Sequence, residues 1–363
     1  MKKVLVRVKP AYPLYIGSNS IALLPRILRE LGGGYFVVVI TNRIVRAHHG
    51  KVLEVLLKRS RIAYTVILIQ DSESAKNWDT LKAVLERLAT QSQGKRPLVV
   101  GFGGGVVTDI AGFAASIFKR GIPYVAVPTT LLGQVDAAIG GKTGIDLAHG
   151  KNLVGAFYQP RAVIIDTCFL KTLPPRVYRD GLAEVVKYAM IRDRALFSML
   201  KKDHSSIMRK NPRILEAIVA RCAMIKADIV AKDEKETKSL RTVLNFGHTV
   251  AHGIECASGY SYSHGSAVAV GMLAATLIAH LLAMCRRDVY DDLKQMLESF
   301  TLPVAGDARA GTITAIRRAM RYDKKSIGAR NRFVLPLRIG TVAVRDNVPE
   351  KTIEKALEKI FSD

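Results

Sequence analysis

Residues 35–41 read YFVVVIT, a run that carries no charge and keeps apolar side chains on both faces of an extended chain. A strand with one face in water alternates polar and apolar residues. One that does not alternate must be covered on both sides, as in the middle of a parallel sheet. The runs 64–70 (YTVILIQ), 97–101 (PLVVG) and 124–127 (YVAV) have the same character, residues 3–8 (KVLVRV) alternate, and 163–166 reads as a last short strand. Helical patterns at 50–59, 77–89 and 110–119 fall between these runs. That rhythm predicts an α/β domain with a mostly parallel sheet. Ligands on such sheets collect at the carboxyl ends of the strands.

Two glycine-rich segments follow strands. The fourth strand runs into Gly103-Gly104-Gly105-Val-Val-Thr-Asp109 and then a helix. Strand, glycines and helix start together form an arrangement that receives a pyrophosphate, although the spacing is not GxGxxG. The stretch from Pro128 to Pro160 carries glycines at 133, 140, 141, 144, 150 and 155. So many glycines cost entropy on ordering. Its Gly-Gly-Lys-Thr-Gly run offers backbone N–H groups, a hydroxyl and an ammonium suited to phosphate oxygens. The alternative is a long loop with scattered lysines.

Beyond residue 170 the pattern turns helical, with helices predicted at 180–191, 194–201, 212–232, 247–257, 265–285, 289–299, 311–320 and 350–361. This suggests an N-terminal domain over 1–172 and a helical one over 173–363, in keeping with a chain of 363 residues. Ser266 to Cys285 is long enough to cross a bilayer, but it is rich in alanine, contains Gly271 and His280, and stands alone. It reads as the buried central helix of the second domain, and no membrane association is expected. The opening ten residues lack the apolar core of a signal peptide. Cysteines 168, 222, 256 and 285 fit neither a disulfide framework nor a zinc knuckle, and point to a reducing cytoplasm. The net charge of +24 makes a polyanionic partner a natural question. The basic residues are spread along the chain and aromatics make up 7%, so no stripe for nucleic acid emerges and none is expected to bind.

In the helical half, Glu184 and Lys187 lie three apart on one helical face with apolar flanks. A carboxylate facing a core is costly unless it is paired or binds metal. His248 and His252 lie four apart, and His264 precedes another helix. One glutamate with two or three histidines makes a divalent-metal set with open positions. Alternatively these are helix-terminal or satisfied core histidines. HTVAH lacks the glutamate of HExxH, which argues against a zinc protease. His48, His49, His149, His204 and His280 have no such company, and Lys226, Arg241, Lys324 and Lys325 alone would be solvated charges.

The segments GGGVVTDIAGFAAS, PTTLLGQVDAAIGGKTGIDLAHGKNLVGAFYQP, TLPPRVYRDGLAEVVKYAMI, LNFGHTVAH and HGSAVAVGM and the late DKK, in this order between about residues 36 and 345, resemble the 3-dehydroquinate synthase family. The resemblance implies a Rossmann-like NAD-binding α/β domain followed by an all-α domain with a metal, Zn2+ or Co2+, acting as a homodimer. It implies conversion of an anionic sugar phosphate, 3-deoxy-D-arabino-heptulosonate 7-phosphate, to 3-dehydroquinate and phosphate in the shikimate pathway. Carried over by motif, Glu184, His248 and His264 are the metal ligands. Asp71, Glu73, Lys76, Gly104, Gly105, Asp109, Thr129, Thr130, Lys142, Lys151 and Thr172 contact the cofactor. Lys142, Asn152, Lys187, Asn245 and His252 surround the substrate's phosphate and hydroxyls. Lys226, Arg241 and one of Lys324 and Lys325 hold its carboxylate, and Arg120 reaches the partner subunit's site.

Three positions depart from the family pattern. Thr41-Asn42-Arg43-Ile44 stands where an acidic residue is common, which implies a different hold on the adenosine end of NAD. Ser266 replaces the glutamate of HGE, and DEKETKSLR has one extra residue before Arg241. The competing readings are a sister sugar-phosphate cyclase, a metal-dependent polyol dehydrogenase and a basic binding protein. They are separated by use of the carboxylate, by net NADH formation, and by salt-sensitive DNA binding without phosphate release.

Overall fold

The computed structural model describes residues 1–147, 150–307, 312–324 and 332–361, with backbone alone for 321–324. The chain divides into two compact units: Met1–Pro174 with Leu215–Lys235, and Pro175–Ile214 with Glu236–Asp363.

The strands of the first unit are β1 (Lys2–Val6), β2 (Tyr12–Ile16), β3 (Phe36–Asn42), β4 (Tyr64–Ile69), β5 (Pro97–Gly103), β6 (Tyr124–Pro128), β7 (Lys142–Leu147), β8 (Gly150–Phe157) and β9 (Ala162–Ile165). All but β7 and β8 join one sheet in the order β1-β2-β9-β6-β5-β3-β4. The β1–β2 pair is antiparallel and every other pair is parallel. The uncharged runs that opened the sequence reading are the central strands: β3, β5 and β6 are buried at every position. One face packs Val37, Val39, Leu98, Val100, Val125 and Val127 against Leu53 and Leu57 of the helix Lys51–Arg59. Burying each such side chain contributes about 1.5–3 kcal/mol.

Two features of this unit differ from the sequence expectation. β2 went unseen because Pro13 interrupts it, and proline demotes a strand; Pro13 pairs with Leu5 beside the sheet's antiparallel end. The glycine-rich stretch is no open loop, for β7 and β8 form an antiparallel hairpin with Gly144 opposite Gly155. A Cβ on Gly155 would lie 2.1 Å from the Thr143 carbonyl oxygen, and one on Gly144 would lie 2.6 Å from that of Val154. At these two of its six positions glycine is there because the two backbones nearly touch.

The second unit is helical, built from Pro175–Arg192, Arg194–Met208, His248–Ala257, His264–Leu281, Arg287–Ser299, Ile313–Lys324 and Glu350–Phe361. It adds a two-stranded antiparallel ribbon, β10 (Arg332–Arg338) and β11 (Thr341–Asp346), that the sequence reading lacked. Pro175 opens its helix; proline suits the first helical position, where its missing N–H has no partner to lose. The long apolar helix His264–Leu281 is the core of this unit, 78% buried. Helix Pro212–Lys232, predicted within the helical domain, packs with the first unit from Leu215 onward.

Candidate metal centre and nucleotide site

In the second unit three helices bring Glu184, His248 and His264 together, their ligand atoms all within 4.8 Å of one another. Glu184 lies mid-helix in Pro175–Arg192 and is fully buried. His248 and His264 each open a helix. These helices approach closely because glycines stand at their crossing: a Cβ on Gly271 would lie 2.1 Å from the Gly247 carbonyl oxygen. Gly247 itself takes φ 81°, a left-handed conformation that places His248 at the helix start. Ser263 caps the other helix, its hydroxyl accepting from the Ser266 N–H and donating to Asp180. Ser266, one of the departures noted above, therefore serves the cap.

Both imidazoles turn Nε2 toward the same carboxylate oxygen. His248 Nε2 is 3.5 Å and His264 Nε2 3.4 Å from Glu184 Oε1. Their other nitrogens are held from behind: His248 Nδ1 lies 3.2 Å from the Phe246 carbonyl and His264 Nδ1 3.4 Å from Glu255 Oε1. A histidine whose Nδ1–H is committed to an acceptor offers its Nε2 lone pair to a cation. Burial raises the Glu184 carboxyl, but Lys187, His248 and His264 outweigh it and hold the group below the usual carboxylate range. Burial, with Lys187 and His264 nearby, lowers His248 to about 3 against the pull of Glu184, so its imidazole is neutral. Burial also disfavours charge on His264, but hydrogen bonds to Glu184 and Glu255 raise it to about 10. Both Glu184 oxygens are fully buried, and their partners are charges and imidazoles rather than ideal hydrogen-bond donors: Lys187 at Oε2 and the two Nε2 atoms 3.5 and 3.4 Å from Oε1. An anionic, buried oxygen facing the neutral His248 imidazole, and His264 once a cation displaces its proton, fits a divalent ion.

The predicted neighbours take distinct places. The Lys187 ammonium pairs with Glu184 Oε2 and is 1% exposed. His252 stacks edge-on against His248, with ring centroids 5.6 Å apart. Asn245 is exposed at the end of the 3-10 turn Leu240–Asn245. Arg241 is buried, with Nε 3.3 Å from Glu236 Oε1. The side chain of Lys324, and Lys325 and His149 altogether, lie outside the described residues.

In the first unit the carboxyl ends of β3, β5 and β6 carry Asn42, Gly103 and Thr129. Gly104 caps the helix Gly105–Ile117, which starts five residues earlier than predicted, so the glycines lead directly into its N-terminus. The Thr129 N–H donates to the Gly103 carbonyl, and a Cβ on Gly104 would meet the Thr130 methyl at 3.0 Å. The buried Lys76 ammonium donates to Asp109 Oδ2 at 2.9 Å and to Asn152 Oδ1 at 2.5 Å, with Glu73 3.9 Å away. Burial opposes its charge, but Asp109 and Glu73 raise its pKa. Lys151 approaches the same Glu73 at 3.9 Å. Glu73, Lys76, Asp109, Lys151 and Asn152 are thus one cluster. Asp71 stands apart, accepting from Asn42 Nδ2 at 2.6 Å. Thr172 meets His49 Nε2 at 2.8 Å, Lys142 is exposed at the start of β7, and Arg120 is exposed with φ 64°. The Lys226 ammonium donates to the Asp136 carbonyl at 2.7 Å and pairs with its carboxylate.

Sequence reasoning missed Glu255, Asp136 and Asp146, whose Oδ1 accepts from the Asn152 N–H at 2.7 Å. Glu255 had a signal, lying seven residues after His248 on the same helical face. Asp136 and Asp146 gave none, since tertiary pairing selects them.

A family model described as 3-dehydroquinate synthase N-terminal matches residues 66–180, and one described as 3-dehydroquinate synthase C-terminal matches residues 181–326. A 3-dehydroquinate synthase from Syntrophotalea carbinolica is 40% identical over 351 residues, covering 96% of both chains. Among solved structures, a 2-epi-5-epi-valiolone synthase from Streptomyces hygroscopicus with NAD+ and Zn2+ bound is 28% identical, with TM-score 0.89 over 99% of this chain and 98% of that one. A 2-deoxy-scyllo-inosose synthase complexed with carbaglucose-6-phosphate, NAD+ and Co2+ shares the fold at 23% identity and TM-score 0.87, over 99% of this chain and 100% of that one.

Proposed function

The chain belongs to the 3-dehydroquinate synthase family, and from that premise we propose which of its residues perform the family's reaction. That reaction converts 3-deoxy-D-arabino-heptulosonate 7-phosphate to 3-dehydroquinate and phosphate, and depends on NAD and a divalent metal. Bound NAD would supply a reversible hydride acceptor for the C5 carbon, and a bound metal a Lewis acid for the hydroxyl there.

Glu184, His248 and His264 hold the ion. The observation that carries this is the convergence of both Nε2 atoms on one buried carboxylate oxygen. Lys187 offsets the charge of Glu184 and, with Lys142, Asn152, Asn245 and His252, is assigned to the substrate's phosphate and hydroxyls. Phosphate departs with two negative charges, and fixed cations aimed at it stabilise the transition state. Lys226, Arg241 and one of Lys324 and Lys325 are assigned to the carboxylate; Lys226 must first exchange Asp136 for it. Gly104, Gly105, Thr129, Thr130 and Thr172, with the Lys76–Asp109 cluster, Lys151 and Asp71, are assigned to NAD. The sheet's carboxyl edge and the helix N-terminus at Gly105 support this.

We assign the enzyme to the cytoplasm, in keeping with four free cysteines, and to a homodimer in which the exposed Arg120 serves the partner's site. Its partner in chemistry is a small anionic sugar phosphate, not nucleic acid or membrane. The test is release of inorganic phosphate from the heptulosonate phosphate, with and without NAD. Phosphate release that requires NAD, with no lasting absorbance change at 340 nm, is expected. Lasting NADH formation would instead identify a dehydrogenase.

A further inference from the structure

The end of β3 is where a nucleotide's ribose is read in a sheet of this kind. β3 neighbours β5, the strand whose glycines receive the pyrophosphate, and an acid at that place accepts the ribose hydroxyls. The parallel register sets Ile40 opposite Gly101, and two residues further along lie Asn42 and Gly103. The residue at that place is an amide. It is 2% exposed and fixed at both ends: Oδ1 accepts from the Val45 N–H at 2.8 Å, and Nδ2 donates to Asp71 Oδ1 at 2.6 Å. The amide therefore cannot flip without breaking both bonds. On the far side β4 pairs Asn42 with Ile69, which puts Asp71 just beyond that strand's end. Partial burial raises the Asp71 carboxyl, so holding it as an anion depends on donors such as this amide.

We propose that the ribose-reading acid of this chain is Asp71, one strand further out than usual, and that Asn42 is the positioning residue that aims it, so that the pair sets the preference for NAD+ over NADP+. This rests on the NAD reading above. A carboxylate held there accepts from the 2′-hydroxyl and repels a 2′-phosphate. Arg46, which could have favoured that phosphate, is turned to Glu54 at 3.3 Å. Arg43 is the exposed cation that would tip the balance the other way.

The test is calorimetric titration of the intact protein with NAD+ and with NADP+. Asn42→Ser keeps a side-chain oxygen to cap Val45 and loses the amide that reaches Asp71. Wild type is expected to prefer NAD+ by at least about tenfold, and both Asp71→Asn and Asn42→Ser to narrow that ratio by about tenfold. General damage to the fold would weaken both nucleotides alike, so it cannot produce the narrowed ratio. A ratio within twofold of wild type in either variant overturns the proposal, as does wild-type protein that binds NADP+ as tightly as NAD+. No NAD+ binding by wild type overturns the cofactor reading itself, and this proposal with it.

Discussion

The metal site's residues carry separable loads. His264→Ala removes one of the three proposed ligands and is expected to abolish stoichiometric zinc binding, measured by metal analysis after dialysis; retention of one zinc per chain would contradict the ligand set. Glu255 acts through His264, so Glu255→Gln keeps the shape and weakens only the acceptor. Zinc affinity is expected to fall about 10–100-fold in a competitive chelator titration, and an unchanged affinity would remove Glu255 from the site. Lys187→Met strands a fully buried carboxylate. In metal-free protein it is expected to cost about 3–5 kcal/mol in urea unfolding, and a loss below about 1 kcal/mol would mean the pair carries little. Glu184, His248 and His264 were legible in the sequence because helical spacing and apolar flanks make a lone carboxylate or imidazole conspicuous. The Asn42–Asp71 and Asp136–Lys226 pairs were not, since sheet register and packing join residues 29 and 90 positions apart.

Among the elements, the uncharged strands and amphipathic helices were readable because burial on two faces or on one leaves a periodicity in the sequence. The β7–β8 hairpin was hidden by its own requirement for glycine, which at sequence level resembles a loop. Gly155→Ala would place a methyl group against the Thr143 carbonyl and spread the strands. It is expected to destabilise the first unit by about 1–3 kcal/mol and to weaken NAD+ binding, because Asn152 on β8 holds the Lys76 ammonium. Calorimetry on the variant checks both, and wild-type NAD+ affinity would detach the hairpin from the nucleotide site. The apolar helix His264–Leu281 makes the opposite point. Its length and hydropathy would let it cross a bilayer, but its alanine content already read as that of a core helix, and 78% of its residues are buried in the second unit.

For the whole molecule, the two units divide the work between a sheet edge suited to a nucleotide and a helical core suited to a metal. Exhaustive chelation is expected to stop phosphate release, and zinc or cobalt to restore it; activity that survives chelation would take the metal out of the reaction. The central claim is a hydride lent to the cofactor and returned to the carbon it left. Substrate labelled with deuterium at C5 tests this directly by mass spectrometry of the product. Full retention of the label in 3-dehydroquinate, with none in the NAD pool, is the expected result. Loss of the label to solvent or to accumulated NADH would contradict the account.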